Sequence, residues 1–493
     1  MAGDYAPAVP TPQLLIDGAF TDGADGVYDV VNPATEEVVA GAPEASVAQA
    51  LDAARAAREA FPAWSRTSPE ERADLLQRTA DAIRGRFDEL LPLVVAETGC
   101  TATVGKQMQV PQAAVRFDSY ARYALESPVI PLPPMEMPQT ALAPGGLMGA
   151  IARRQPVGVV ACITPYNFPI VNMAGKLGPA LAMGNTVVVR PASQNPLAVI
   201  ELVRIMHEVG FPPGVVNVIT GSTPATGEAL VETRDVDMVS FTGSTGVGMR
   251  IGEVGGRTMK RLLLELGGKG AALVFDDADV ANAVRTIAST WTFHSGQICT
   301  APTRAIIQRG VYDQVVEGLR RTAGALKVAD PYEPGVVLGP VISAAHRDRV
   351  EGYVAAGRDE GATLLAGGER PGEPGRGFYV APTLLADARA GMRVVQEEIF
   401  GPVIVALPFD DEEEGIALAN GTDFGLYDYV FSGDTARAFR VSRSLRSGNV
   451  GINTTQRNHH APFGGTKLSG VGRDGGLFGL HAYSELQSVV WPS

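Results

Sequence analysis

Between Pro156 and Phe275 the sequence alternates short apolar runs with helical stretches, and this alternation restricts the fold more than any other feature. Val157-Gly158-Val159-Val160-Ala161-Cys162-Ile163 reads as a strand that is apolar on both faces, residues 172–183 as a helix, and Thr186-Val187-Val188-Val189 as a second strand. A helix over 196–209, strands at 215–219 and 238–241, a helix from Ser244 and a strand at 271–275 continue the series. Strands buried on both faces and joined by helices pair in parallel through right-handed crossovers. Such an open α/β sheet binds its ligand at the carboxyl ends of its strands. The pattern resumes with a helix over 280–293, a strand at 303–308 and a helix over 312–326. A chain of 493 residues also exceeds what one core serves, so a second α/β domain is expected, running to about residue 470.

The flanks read differently. Residues 1–44 are strand-and-turn material, followed by two amphipathic helices. The second opens on Ser68-Pro69-Glu70-Glu71, a capping box with proline at the first helical position, and shows an apolar face of Ala73, Leu76, Ala80, Ile83 and Phe87. Pro128, Pro131, Pro133, Pro134 and Pro138 crowd the stretch before Gly145-Gly146. That density suits an extended arm or edge strands, with a linker as the alternative. Residues 483–491 form a closing β-branched strand.

Composition removes whole classes of function. A net charge of −13 without a basic run excludes nucleic acid and anionic membrane as partners. No apolar stretch reaches the length of a membrane span. Cys100, Cys162 and Cys299 lie far apart, which supplies neither zinc spacing nor a disulfide framework, and no metal is expected. Residues 1–12 lack the basic and apolar regions of a signal peptide. A reducing compartment, the cytoplasm, is the expected location.

Four elements carry chemistry. Cys299 lies in Ser295-Gly296-Gln297-Ile298-Cys299-Thr300, just before a β-branched strand, where small neighbours leave it accessible; the alternative is an inert packed thiol. Thr242-Gly243-Ser244-Thr245-Gly246 stands where a strand becomes a helix, suited to a phosphate, or to a simple Gly-rich turn capped by Ser244. Glu265 ends the apolar Leu262-Leu263-Leu264, where desolvation would make it a general base, unless it is solvated or salt-bridged. Asn167, in Pro165-Tyr166-Asn167-Phe168-Pro169, could donate to an oxyanion or serve only the turn. Thiol, carboxylate, amide donor and phosphate turn together form a set for oxidising an aldehyde: thiolate attack, hydride loss to a nicotinamide, and hydrolysis of the thioester by Glu265-activated water.

These motifs, with Glu397-Glu398-Ile399-Phe400-Gly401-Pro402 and Pro462-Phe463-Gly464-Gly465-Thr466-Lys467 downstream, resemble the aldehyde dehydrogenase superfamily almost from end to end. The resemblance implies two Rossmann-like open α/β domains and a small β oligomerisation arm. Residues 1–126 and 147–264 would bind NAD or NADP, 265–470 would carry the catalytic residues, and 127–146 with 471–493 would join copies into a homodimer or homotetramer. Cys299, Glu265, Asn167 and Lys176 would be catalytic. Thr164, Pro165, Tyr166, Arg190, Ser193, Gly243, Ser244, Leu266, Gly267, Glu398 and Phe400 would hold the cofactor, Glu398 at the nicotinamide ribose and Phe400 beside the ring. Phe168, Gly175, Ile298, Thr300, Arg457 and Phe463 would line the substrate pocket.

Three features depart from the family pattern. Arg190 and Ser193 stand where many members carry a lysine and a glutamate, and without that carboxylate a 2′-phosphate is admitted. Gly175 replaces a large aromatic, which implies a roomier channel for an aromatic or long-chain aldehyde. Gln456-Arg457-Asn458-His459-His460 replaces an apolar loop and either meets an acidic substrate end or is solvated surface. The rival readings are a semialdehyde dehydrogenase acting on an acidic aldehyde (a proline-pathway enzyme included), a CoA-acylating relative, which would not need Glu265, and a non-catalytic protein on the same fold, which would not keep Cys299, Glu265 and Asn167.

Overall fold

The computed structural model describes Pro7 and residues 10–492, so the expectation about a signal peptide rests mainly on residues outside that range. Val159–Ile163 lies at the centre of the first sheet. Thr186–Arg190 and Val216–Val218 follow on one side, Met238–Thr242 and Arg261–Glu265 on the other, all parallel. The antiparallel pair Leu14–Ile16 and Ala19–Thr21 extends the sheet beyond Val216–Val218, and Gly470–Val471 closes the opposite edge. The central strand is buried along its whole length, as its continuous apolar run requires when helices cover both faces. Strand order reverses between Val159–Ile163 and Met238–Thr242, and the crevice at their carboxyl ends receives Thr164-Pro165-Tyr166-Asn167 and Gly243-Ser244.

The second sheet runs Thr383–Ala386, Val403–Phe409, Arg304–Gln308, Ala271–Val274, Tyr427–Phe431, Asn449–Ile452 in parallel, with Thr363–Ala366 as an antiparallel edge. Only residues 266–270 join Arg261–Glu265 to Ala271–Val274. The chain therefore leaves the carboxyl edge of the first sheet and enters the amino edge of the second almost at once. Cys299 precedes Arg304–Gln308 and Glu398 precedes Val403–Phe409, so both reach the seam from that amino edge.

Val129–Met137, Gly146–Pro156 and Ser484–Pro492 form a third, antiparallel sheet, so the proline-rich stretch is a strand and not a linker. Its register slips between Leu132 and Met135, where Pro133 and Pro134 have no N–H to give the ladder. Gly476–Ala482, just before the last strand, packs on Val110–Tyr123 and Pro169–Met183.

The capping box at Ser68 forms as expected, with Ser68 Oγ accepting from Glu71 N–H and Glu71 answering at Ser68 N–H. Several boundaries differ from the sequence reading: the helix read over 172–183 begins at Pro169 and the strand read from Val157 begins at Val159. Phe87 opens a separate helix, Phe87–Thr98, in place of extending Pro69–Gly85. The helix expected over 280–293 stops at Trp291, because His294 and Ser295 turn left-handed. Among the described residues no helix is long and apolar enough to cross a membrane.

Candidate active site

The loop that presents Cys299 is held on three sides. His294, Ser295 and Gly296 follow one another at φ 47°, 55° and 73°. Left-handed backbone costs on the order of 1–3 kcal/mol at each non-glycine residue, so neighbouring contacts must fix this turn. Ser295 Oγ donates to the Gly339 carbonyl (2.7 Å), Gln297 Oε1 accepts from Ile342 N–H (3.0 Å), and Gln297 Nε2 donates to the His294 carbonyl (3.2 Å). A Cβ at Gly296 would lie 2.2 Å from the Gly401 carbonyl, so only glycine lets the thiol loop pack on the Glu397–Pro402 motif. The result is one partly exposed cysteine, while Cys100 and Cys162 are buried. Burial pushes the Cys299 thiol up to about 12; Arg457 opposes that rise, and Glu398 and Glu265 add to it.

Asn167 faces this loop with its amide oriented. Its Oδ1 accepts from Phe168 N–H (3.0 Å) and Asn172 Nδ2 (3.4 Å), which turns Nδ2 toward the Gln297 carbonyl at 2.8 Å. One Nδ2 hydrogen is used there, and the second is unclaimed among the described residues. The Cys299 N–H lies against its own sulfur.

Glu265 ends its strand 4% exposed, and among the described residues neither carboxylate oxygen has a hydrogen-bond partner. Burial, reinforced by Asp474, holds its carboxyl well above the ordinary range against the pull of Lys176, Arg457 and Arg473. Lys176 is buried on Pro169–Met183 and donates from Nζ to Ser240 Oγ at 3.0 Å. A Cβ at Gly175 would meet only Asp474 Oδ2, at 3.9 Å, so open space adjoins that glycine. Asp474 was not singled out from sequence. It sits among glycines and reads locally as a turn residue, although the fold sets it in the field of Glu265, Lys176 and Arg457.

On the other side of the seam, buried Thr164 Oγ1 has no partner among the described residues. Ser244 precedes Thr245–Gly256 without capping it, and a Cβ at Gly246 would meet nothing within 4 Å. This helix end therefore offers unclaimed amides, as a phosphate requires. The Ser193 hydroxyl reaches only Gln194 Oε1 (3.3 Å). Arg190 is turned onto the carbonyls of Pro191, Gly221 and Thr223, so three of its five N–H groups serve the fold. Glu398 Oε1 accepts from Gly268 N–H at 2.9 Å, and a Cβ at Gly267 would sit 2.2 Å from its Oε2. Burial also raises the Glu398 carboxyl. Phe400, at φ 63°, meets Tyr166 edge-on with ring centres 5.9 Å apart. His346 and Arg349, two residues the sequence did not flag, brace this loop at the Phe400 carbonyl (2.7 Å) and the Glu398 carbonyl (2.8 Å). The orphaned Thr164 hydroxyl, the open helix end and the Tyr166–Phe400 pair fit a dinucleotide laid across the switch point toward Cys299.

The residues expected at the substrate pocket are largely aromatic, with a cationic border. Phe168 stacks on Phe293 with ring centres 6.2 Å apart and leans on His294. Ile298 and Thr300 are partly buried beside the thiol, and the Thr300 carbonyl accepts from Tyr429 OH (2.7 Å). The Gln456–His460 stretch divides. Gln456, Asn458, His459 and His460 are exposed, but Arg457 turns inward with its Cζ 3.6 Å from the centre of the Phe463 ring. Arg116, from Val110–Tyr123, lies in the field of Arg457. Among the described residues neither guanidinium has a hydrogen bond or an ion-pairing carboxylate within 4 Å.

Comparison with known proteins agrees with this geometry. The sequence profile of the Aldehyde dehydrogenase family matches residues 20–489. A 2-hydroxymuconic semialdehyde dehydrogenase of Pseudomonas sp. (strain CF600) is 38% identical over 96% of this chain and 98% of its own length. Aldehyde dehydrogenase C of Pseudomonas syringae, solved as a cysteine-to-alanine mutant with NAD+ and octanal, superposes with a TM-score of 0.92 at 36% identity, covering 98% of each chain. Betaine aldehyde dehydrogenase of Staphylococcus aureus, solved with NAD+, gives a TM-score of 0.93 at 33% identity over 98% of this chain and 95% of its own. With the match running through both sheets and the seam between them, this chain belongs to the aldehyde dehydrogenase family.

Proposed function

We propose that this protein oxidises an aldehyde with an aromatic or long-chain body and a distal carboxylate to the corresponding acid, with NAD or NADP as hydride acceptor. The observation that carries the acidic end is the pair Arg116 and Arg457, two guanidiniums in each other's field, neither with a hydrogen bond or ion pair among the described residues; the carboxylates that act on Arg457, those of Asp474 and Glu265, lie beyond ion-pairing reach. Like charges held together at a partly buried border oppose folding unless an anion joins them, and a substrate carboxylate satisfies that need. The space beside Gly175 and the Phe168–Phe293 wall accommodate the body. The semialdehyde dehydrogenase at 38% identity supports the same class.

In this reading the Cys299 thiol gives its proton to solvent water, and the thiolate Sγ adds to the aldehyde carbon. The free Asn167 Nδ2 hydrogen and the Cys299 N–H hold the developing oxyanion. A nicotinamide bound against Phe400, its ribose near Glu398, would supply the hydride acceptor. Collapse of the oxyanion to a carbonyl leaves a thioester on Cys299. Glu265 then takes a proton from water, the hydroxide adds to the thioester carbon, and the thiolate departs with release of the acid. The unpartnered Glu265 carboxylate has both oxygens available for that water.

On the cofactor side, Thr164, Pro165, Tyr166, Gly243 and Ser244 would take the pyrophosphate, with Leu266 and Gly267 lying under the nicotinamide. Ser193 puts no negative charge at the adenosine ribose, so NAD and NADP are both accepted. Residues 10–126 and 157–264 would form the cofactor domain and 265–470 the catalytic one; the boundary expected at 147 moves to about 157, because Gly146–Pro156 pairs only with the two other strands of the arm sheet. The arm would assemble copies through its exposed Ile130, Leu132, Met135, Val490 and Trp491. The function is tested by comparing kcat/KM for 6-oxohexanoate and hexanal, which differ only in the terminal carboxylate. The acidic aldehyde is expected to be favoured at least tenfold, and equal values would remove the acidic-substrate reading.

A further inference from the structure

The anchoring of Lys176 runs away from the reacting centre. The residue is 1% exposed, and the one hydrogen bond of its ammonium among the described residues goes to Ser240 Oγ at 3.0 Å. Ser240 Oγ in turn lies 2.7 Å from Tyr483 OH. Both partners are wholly buried, Ser240 in Met238–Thr242 and Tyr483 just before Ser484–Pro492. The segment around Tyr483 is itself fixed. Asn185 Nδ2 donates to the Tyr483 carbonyl (2.9 Å), Arg261 Nη2 donates to the Ser484 carbonyl (3.1 Å), and Arg154 Nη1 donates to Ser484 Oγ (3.2 Å). A helix, a central strand and the carboxyl-terminal segment therefore converge on one ammonium.

We propose that Ser240 and Tyr483 are positioning residues for Lys176, holding its charge beside Glu265 and so setting the pH at which the acyl group is hydrolysed from Cys299. The proposal rests on reading Glu265 as the base that activates water.

Burial disfavours a charged lysine, and an oxygen that accepts from the ammonium offsets part of that loss. Ser240 Oγ is that oxygen. Burial keeps the Tyr483 phenol protonated far above neutrality, so it can donate to Ser240 Oγ and leave the serine's other lone pair for Lys176. The titratable groups acting on Lys176 are Asp474, Cys162 (a buried thiol that stays protonated) and Glu265; those acting on Glu265 are Asp474, Lys176, Arg457 and Arg473. Removing the Ser240 oxygen weakens the charged form of Lys176. Glu265 then keeps its proton to higher pH, and the acid limb of turnover moves up.

The test is steady-state turnover against pH, with the pre-steady-state burst of reduced cofactor recorded on the same variants. In Ser240→Ala the acid limb is expected to rise by about one pH unit, and in Tyr483→Phe by about half of that, with burst amplitudes unchanged. Ser240→Thr keeps the hydroxyl and returns the limb to its natural position. Placed in a Lys176→Met background, Ser240→Ala produces no further shift. Tyr483→Phe removes one oxygen and no packing volume, so it carries the test if Ser240→Ala fails to fold. A kcat that falls equally at every pH with the limb unmoved overturns the proposal, as does the same shift in the Lys176→Met background. Glu265→Gln, measured alongside, separates the two ideas. If it turns over steadily, the base reading fails; if it stalls after one burst while the Ser240 variants leave the limb unmoved, only the positioning role fails.

Discussion

Replacing Arg457 by leucine removes one of the two unpaired guanidiniums and keeps an apolar contact for Phe463. A hydrogen bond to a charged group is worth about 1.5–3 kcal/mol. At 1.36 kcal/mol per factor of ten, kcat/KM for 6-oxohexanoate should fall about 10- to 150-fold. The substitution has a second effect, because Arg457 is the group that opposes the rise of the Cys299 thiol. Without it the thiol holds its proton more tightly, and every aldehyde reacts more slowly. That loss is common to 6-oxohexanoate and hexanal, so the ratio of their kcat/KM values isolates recognition of the carboxylate. The same argument predicts slower iodoacetamide alkylation of Cys299 in Arg457→Leu near neutral pH. Arg116 is not among the groups acting on Cys299, so Arg116→Leu should lower the ratio with little change in alkylation. Steady-state assays on the two substrates and a thiol-labelling time course suffice. A ratio unchanged within about twofold in both variants would refute the anion-site reasoning, since a charge-assisted contact cannot be lost at so small a cost.

Ser193→Glu should shift preference toward NAD by on the order of 1–3 kcal/mol, through repulsion of the 2′-phosphate, as fluorescence titration of both cofactors would read. NADP binding a hundredfold weaker than NAD in the natural protein would contradict that account. Gly175→Trp should selectively lose kcat/KM for benzaldehyde and hexanal relative to acetaldehyde, because an indole of about 150–250 Å² would fill the open space toward Asp474; equal losses would contradict it. Glu265 predicts a stability trade-off. Its folded carboxyl holds its proton well above the ordinary 4.5 of the unfolded chain, so stability falls as pH rises between those two values. Glu265→Gln should therefore raise Tm at pH 8, with the gap closing below about pH 4.5, as differential scanning calorimetry at both pH values would show.

The parts of this molecule that were legible in the sequence are those whose cause is local. Val159–Ile163 is apolar throughout because helices cover both faces of its sheet, and Ser68 announces its helix by pairing with Glu71. The family motifs were equally visible, since each lies within a few residues. What stayed hidden depends on contacts between distant segments. Asp474 reads as a turn residue until the fold carries it beside Gly175 and Glu265. Arg116 sits unremarked on its helix, and only the fold brings it near Arg457. Tyr483 meets Ser240 across 243 residues of chain. Arg190 shows the converse: its position in the sequence suggested a phosphate partner, but three backbone carbonyls take up much of its guanidinium. The left-handed turn at His294 and Ser295 carries no compositional mark either, because tertiary contacts at Gly339, Ile342 and Gly401 impose it.

The central claim is that Cys299 carries the acyl group and Glu265 releases it. Rapid mixing of Glu265→Gln with cofactor and 6-oxohexanoate, followed by intact-protein mass spectrometry, tests it most directly. The account predicts one equivalent of reduced cofactor per site, then a stall, with the acyl mass added at Cys299 and neither burst nor adduct in Cys299→Ala. Steady turnover by Glu265→Gln near the natural rate, or an adduct that persists in Cys299→Ala, would contradict it.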